Sequence, residues 1–121
     1  MTILFMDDDS MIKKVAGEML ESLGYEVEFV SDGTEAVTSY KKRKEAGSPF
    51  DAVILDITIP EGMGGVDTIK EILKIEPNAK VFALTGFSKE SVVANHKEYG
   101  FTNVIEKPFS VDDLQAVLDQ I

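Results

Sequence analysis

Aspartates stand at the positions in this chain where chemistry is easiest to assemble. Three occur in a row at Asp7-Asp8-Asp9 and a fourth at Asp56, and both groups directly follow short apolar runs. Thr85 and Lys107 follow two later apolar runs in the same way. Clustered carboxylates repel one another: two charges about 4 Å apart cost ~4 kcal/mol at an effective dielectric of about 20. A hard divalent cation relieves that repulsion, because it takes carboxylate and carbonyl oxygens readily. Mg2+ is the first candidate and Mn2+ the second. An aspartate held against such a cation can attack phosphorus as a carboxylate nucleophile and become an acyl phosphate. A transferring phosphoryl group spreads negative charge over three oxygens. The cation, the Lys107 ammonium and the Thr85 hydroxyl can each take one of them.

Taken singly, every one of these residues has a plainer role. A lone aspartate at a strand end is commonly a turn or cap residue, and Asp9 is well placed to cap the helix that follows. Thr85 alone would be a turn residue and Lys107 alone a surface charge. Their joint placement at successive strand ends argues for a site. His96, the only histidine, shares a helical face with Val92, Val93 and Tyr99, which suits a boundary or surface role. Phe87, Phe101 and Phe109 read as core or lip residues rather than as a stacking platform for bases.

The elements that must position the site are visible as alternating apolar runs and helical patterns. The runs are Ile3 to Met6, Val27 to Val30, Ala52 to Leu55, Val81 to Leu84 and Val104 to Ile105. Short, continuous apolar runs of this kind suit strands buried on both faces of a parallel sheet. Between them, Ile12, Val15, Met19 and Leu23 predict a first helix stopped at Gly24. Ala36, Val37 and Tyr40 open a second, which turns to charge at Lys41 to Glu45 and ends near Gly47. Val66, Ile69, Ile72 and Leu73 mark a third, closed by Pro77. Val92, Val93, His96 and Tyr99 mark a fourth, followed by Gly100. Ser110 and Asp113 make a capping-box start to a fifth, with Leu114, Val117 and Leu118 on its core face. Strands alternating with helices predict one doubly wound α/β domain over residues 1–121. In such sheets the ligand crevice lies beyond the carboxyl ends of the strands, so all four acid, threonine and lysine positions open onto it.

Composition narrows the function further. The 121 residues suit one compact domain. With 22 acidic against 12 basic residues the formal net charge is −10, which argues against direct nucleic-acid binding, since that needs a cationic face. There is no cysteine, so disulfides and thiolate chemistry are excluded. No apolar stretch approaches the ~20 residues of a membrane span, and no signal segment opens the chain. A cytoplasmic protein with no direct membrane partner is expected.

The motifs resemble the receiver domain of two-component response regulators across essentially the whole chain. The matching segments are Ile3 to Asp8, Ala52 to Pro60, Ala83 to Gly86 and Glu106 to Phe109. The resemblance implies a flavodoxin-like (βα)5 fold with strand order 2-1-3-4-5. It implies a phosphoryl group passed from phosphohistidine, on a histidine kinase or histidine phosphotransfer protein, to Asp56. Asp8 would bind the metal directly, Asp7 partly through water, and Thr58 through its backbone carbonyl, with Asp56 completing the set. Thr85 and Lys107 would hold phosphoryl oxygens, and the Lys107–Pro108 bond would be cis.

Two departures stand out. The loop Pro60-Glu61-Gly62-Met63-Gly64-Gly65 is one residue longer than usual and lacks the customary aspartate, a form resembling receivers of hybrid histidine kinases. Val104 occupies the place where an aromatic usually couples to the threonine. The rival reading is a haloacid-dehalogenase-type phosphatase using Asp7, with Asp9, Thr85, a lysine and Asp112-Asp113 in its motif order. That reading leaves Asp56 without a role. No residues are left for an output domain, so a stand-alone receiver or one cut from a longer protein is expected. Oligomeric state is left open.

Overall fold

A computed structural model describes residues 1–57, 64–86 and 96–121. Within them run β1 (Thr2–Met6), α1 (Ser10–Ser22), β2 (Glu26–Val30), α2 (Gly33–Glu45), β3 (Ala52–Asp56), α3 (Gly65–Ile75), β4 (Val81–Thr85), α4 (His96–Tyr99), β5 (Asn103–Glu106) and α5 (Val111–Leu118). The strands form one parallel sheet in the order β2-β1-β3-β4-β5, as expected. Each predicted strand appears within a residue or two of its apolar run.

The three central strands are almost wholly buried because helices cover both faces, and alternate side chains serve alternate layers. Ile3 and Phe5 of β1, Ile54 of β3 and Phe82 and Leu84 of β4 pack with Ala16 and Leu20 of α1 and Leu114 and Leu118 of α5. Leu4, Met6, Val53, Leu55, Val81 and Ala83 point the other way, onto Ala36 and Tyr40 of α2, Ile69 and Ile72 of α3, and Phe101. Each large apolar side chain so buried contributes about 1.5–3 kcal/mol, and cutting one such as Ile54 back to alanine would cost about 2–5 kcal/mol.

The helix ends follow local chemistry. The Asp9 carboxylate accepts hydrogen bonds from Met11 N (2.9 Å) and Ile12 N (3.2 Å), capping α1. Asp32 does the same for α2 through Glu35 N at 3.0 Å, a cap not read from the sequence. The predicted capping box is present on α5: Ser110 Oγ accepts from Asp113 N (3.1 Å) and Asp113 Oδ2 from Ser110 N (2.9 Å). Gly24, at φ 89°, supplies the left-handed turn that ends α1.

On α1 the buried face differs from the one its apolar residues predict. Val15 is 37% exposed, while Ala16 and Leu20 are fully buried. The apolar stripe of α1 is centred on Ile12, Ala16, Leu20 and Leu23, and small Ala16, a weak hydrophobic signal, marks its middle. On the fourth helical pattern, Val92 and Val93 lie outside the described residues, as do Phe87 and the side chain of His96. Tyr99 packs on the α2–α3 core layer. Phe101 is buried there too, and Phe109 packs on the opposite layer.

Candidate phosphoryl and metal site

The carboxyl ends of β1, β3, β4 and β5 converge because parallel strands all point the same way. Asp7 follows β1 directly, Asp56 closes β3, Thr85 closes β4, and Lys107 follows β5. Ladder bonds continue one step beyond the strands: Ile57 N donates to Leu84 O (3.0 Å), and Lys107 N to Thr85 O (2.8 Å). These bonds fix the backbones beside Asp56 and Lys107 relative to β4.

Asp7 is fully buried, Asp56 is 2% exposed and Thr85 is fully buried. Lys107 reaches into this acidic pocket. Its Nζ lies 3.1 Å from Asp56 Oδ2 and 3.1 Å from Asp7 Oδ2. The contact with Asp56 is a hydrogen bond. The contact with Asp7 is an ion pair off the hydrogen-bond direction, so buried Asp7 Oδ2 has no directed donor among the described residues. The other oxygen, Asp7 Oδ1, accepts from Asp9 N at 2.9 Å. That turn is a role of the acidic triplet beyond those predicted from the sequence, although an aspartate bonding a backbone N–H two residues on is a recognised turn habit.

Electrostatics follow from burial. Asp7 is held above the ordinary carboxylate pKa, chiefly by loss of solvent and secondarily by the Asp56 charge, against the Asp9 N–H and Lys107. Burial also opposes the Lys107 charge, but the Asp7 and Asp56 carboxylates outweigh it and hold that ammonium above its ordinary pKa. One cation therefore stands against a cluster of acids.

Asp7, Asp8 and Asp56 each bring a carboxylate oxygen within 4.8 Å of the others, with Asp8 on the solvent side. Oxygens so gathered, one of them buried without a directed donor, fit a hard divalent cation. Thr58, expected to add a carbonyl, lies outside the described residues. So do residues 60–63 of the glycine-rich loop; its last two residues, Gly64 and Gly65, begin α3. The Lys107–Pro108 bond is cis, as expected. The phosphatase alternative gains nothing: Asp112 and Asp113 are exposed in the first turn of α5, where Asp113 serves the capping box.

Comparison with known proteins agrees with this geometry. The profile of the response regulator receiver domain matches residues 3–119. Chemotaxis protein CheY of Thermotoga maritima is 34% identical over 120 residues, spanning 98% of this chain and 95% of that protein. The receiver domain of a sensor histidine kinase from Pseudomonas aeruginosa, solved with magnesium coordinated in its active-site cleft, superposes with a TM-score of 0.85 at 30% identity, covering 98% and 94% of the two chains. Vibrio cholerae CheY4 gives a TM-score of 0.87 at 27% identity over 99% and 97%. With its sheet order, its acidic pocket and this match across nearly its whole length, the chain belongs to the response regulator receiver domain family.

Proposed function

We propose that Asp56 is the phosphoacceptor of this receiver and that Asp7, Asp8, Asp56 and the Thr58 carbonyl hold Mg2+, or Mn2+ in its place. The observation that carries the reading is Lys107 Nζ, at 3.1 Å from both buried Asp7 and buried Asp56 in a three-carboxylate pocket that Asp8 completes on the solvent side. An Asp56 carboxylate oxygen attacks phosphorus, the P–N bond to the donor histidine breaks, and its electron pair stays on the imidazole nitrogen. Lys107, already against Asp56 Oδ2, pairs with a phosphoryl oxygen in the product. Thr85 offers its hydroxyl to another from the adjacent strand end. The divalent cation supplies charge neutralisation for the donor oxygens and the clustered acids.

The donor is a histidine kinase or histidine phosphotransfer protein. The altered loop before α3 supports attachment to, or relay from, a hybrid histidine kinase. The absence of cysteine supports a cytoplasmic setting, and no helix among the described residues is long and apolar enough to cross a membrane. The acidic surface disfavours direct nucleic-acid contact.

Incubation with acetyl phosphate and Mg2+ should add one phosphoryl group to the chain, and peptide mapping should place it on Asp56. Asp56→Asn should take none. Undiminished labelling of that variant, or label on Asp7, would defeat the assignment.

A further inference from the structure

Gly65 opens α3 directly behind the acidic pocket. A Cβ added there would lie 2.9 Å from the Asp56 carbonyl oxygen, 2.9 Å from Ile57 Cγ2 and 3.1 Å from Ile57 Cα. Two of those three atoms are backbone, so no side-chain rotation can clear the way. Glycine is required here by close approach of a helix to the end of β3. One residue earlier, a Cβ on Gly64 would meet nothing within 4 Å among the described residues.

The same turn also touches the end of β1. Thr68 is fully buried, its hydroxyl donates to Gly64 O at 2.7 Å, and its Oγ1 lies 4.0 Å from Met6 Sδ. Met6 is the residue before Asp7. The first turn of α3 is thus seated on the two strand ends that deliver Asp56 and Asp7.

We infer that Gly65 and Thr68 are positioning residues that set the spacing of the Asp7 and Asp56 carboxylates by seating the first turn of α3 on the ends of β1 and β3. A side chain at position 65 drives α3 away from β3 or displaces the Asp56 backbone. Either way the Asp56 carboxylate shifts relative to Asp7 and Lys107. The inference rests on Asp56 being the acceptor.

The test compares Gly65→Ala, Gly64→Ala and the unaltered chain. Acetyl-phosphate labelling is followed at saturating Mg2+, Mg2+ affinity by calorimetry, and thermal midpoints in chelator. A misplacement of 1 Å costs about a hundredfold in rate, so a shift of about half an ångström should slow Gly65→Ala roughly tenfold and weaken its Mg2+ binding. Gly64→Ala should stay within about twofold, its methyl meeting none of the described residues. A purely structural role would lower the midpoint yet leave rate and affinity of the folded protein unchanged, and that result overturns the inference. If Gly65→Ala does not fold, Thr68→Val decides, losing only the hydroxyl: slower labelling supports the inference and an unchanged rate overturns it. Label found elsewhere than Asp56 in the unaltered chain overturns the functional reading instead, so the two failures are distinguishable.

Discussion

Asp7 carries the sharpest residue-scale consequences, because it is the most deeply buried acid in the pocket. Burial and the Asp56 charge raise its pKa above 3.8, so the folded chain binds that proton more tightly than the unfolded one. Below the unfolded value both states are protonated and nothing is lost. As pH rises through 3.8 and then through the higher folded value, stability drains away, and above the folded value the loss is complete. In chelator near neutral pH, Asp7→Asn should therefore melt a few degrees higher than the unaltered chain. The gap should close on acidification toward the unfolded pKa. With Mg2+ present the order should reverse, because the variant lacks one of the carboxylates proposed to hold the ion. Thermal melts in chelator and in Mg2+ across this pH range check all three statements. Lys107→Ala is the complementary case, removing the cation that faces both carboxylates. Its beryllofluoride-loaded form should show blunted NMR shifts in β4 and β5, and shifts like those of the unaltered chain would refute the lysine's role.

Elements matter here through how their ends are finished. α1 begins at Asp9, whose carboxylate caps two backbone N–H groups while its own N–H holds Asp7 Oδ1. Asp9→Ala should cost about 1 kcal/mol through the lost cap, read as an earlier denaturation midpoint, and leave the bond from its backbone N–H to Asp7 available. β5 offers a different case. Val104 sits opposite Ala83, two residues before Thr85, and packs only partly buried on the α2–α3 layer. The family resemblance implies an aromatic there, whose large ring would move with the threonine. Valine is stiff at χ1 and sweeps little volume. An element shifts only as far as differential contacts drive it, so phosphorylation should leave the face formed by α4, β5 and α5 nearly unchanged. Paired structures with and without beryllofluoride test this, and a large rearrangement of that face would contradict it.

At the scale of the whole molecule, the metal and the fold share one free-energy balance. The acids of the pocket come from different strands, so the proposed cation site can form only when the sheet is assembled. Ligand binding confined to the folded state stabilises it by RT ln(1 + [L]/Kd), about 2.7 kcal/mol at a hundred times Kd. Mg2+ should therefore raise the melting midpoint by several degrees, with the gain tracking log concentration. Asp8→Ala should flatten that dependence. A midpoint insensitive to Mg2+ in the unaltered chain would show that the pocket does not bind it.

The sequence by itself determined most of this architecture, because buried parallel strands must be continuous and apolar, as at Ile3 to Met6 and Val81 to Leu84. It also determined the candidate residues, since a sheet crevice lies beyond the strand ends and the acids, threonine and lysine stand there. Ser110 and Asp113 announced their capping box because that device is local. Three things only the tertiary structure decided. Val15 stands off the α1 core face, whose middle is Ala16, a choice set by how the helix lies on the sheet rather than by hydrophobicity along the chain. Lys107 stands 3.1 Å from both Asp7 and Asp56 while hydrogen-bonding Asp56, which depends on the ends of β1, β3 and β5 lying side by side. Gly65 stands in the sequence only as the last glycine of the loop Pro60 to Gly65, yet its missing Cβ is required by a backbone met only through packing, and sequence periodicity holds no record of such a contact.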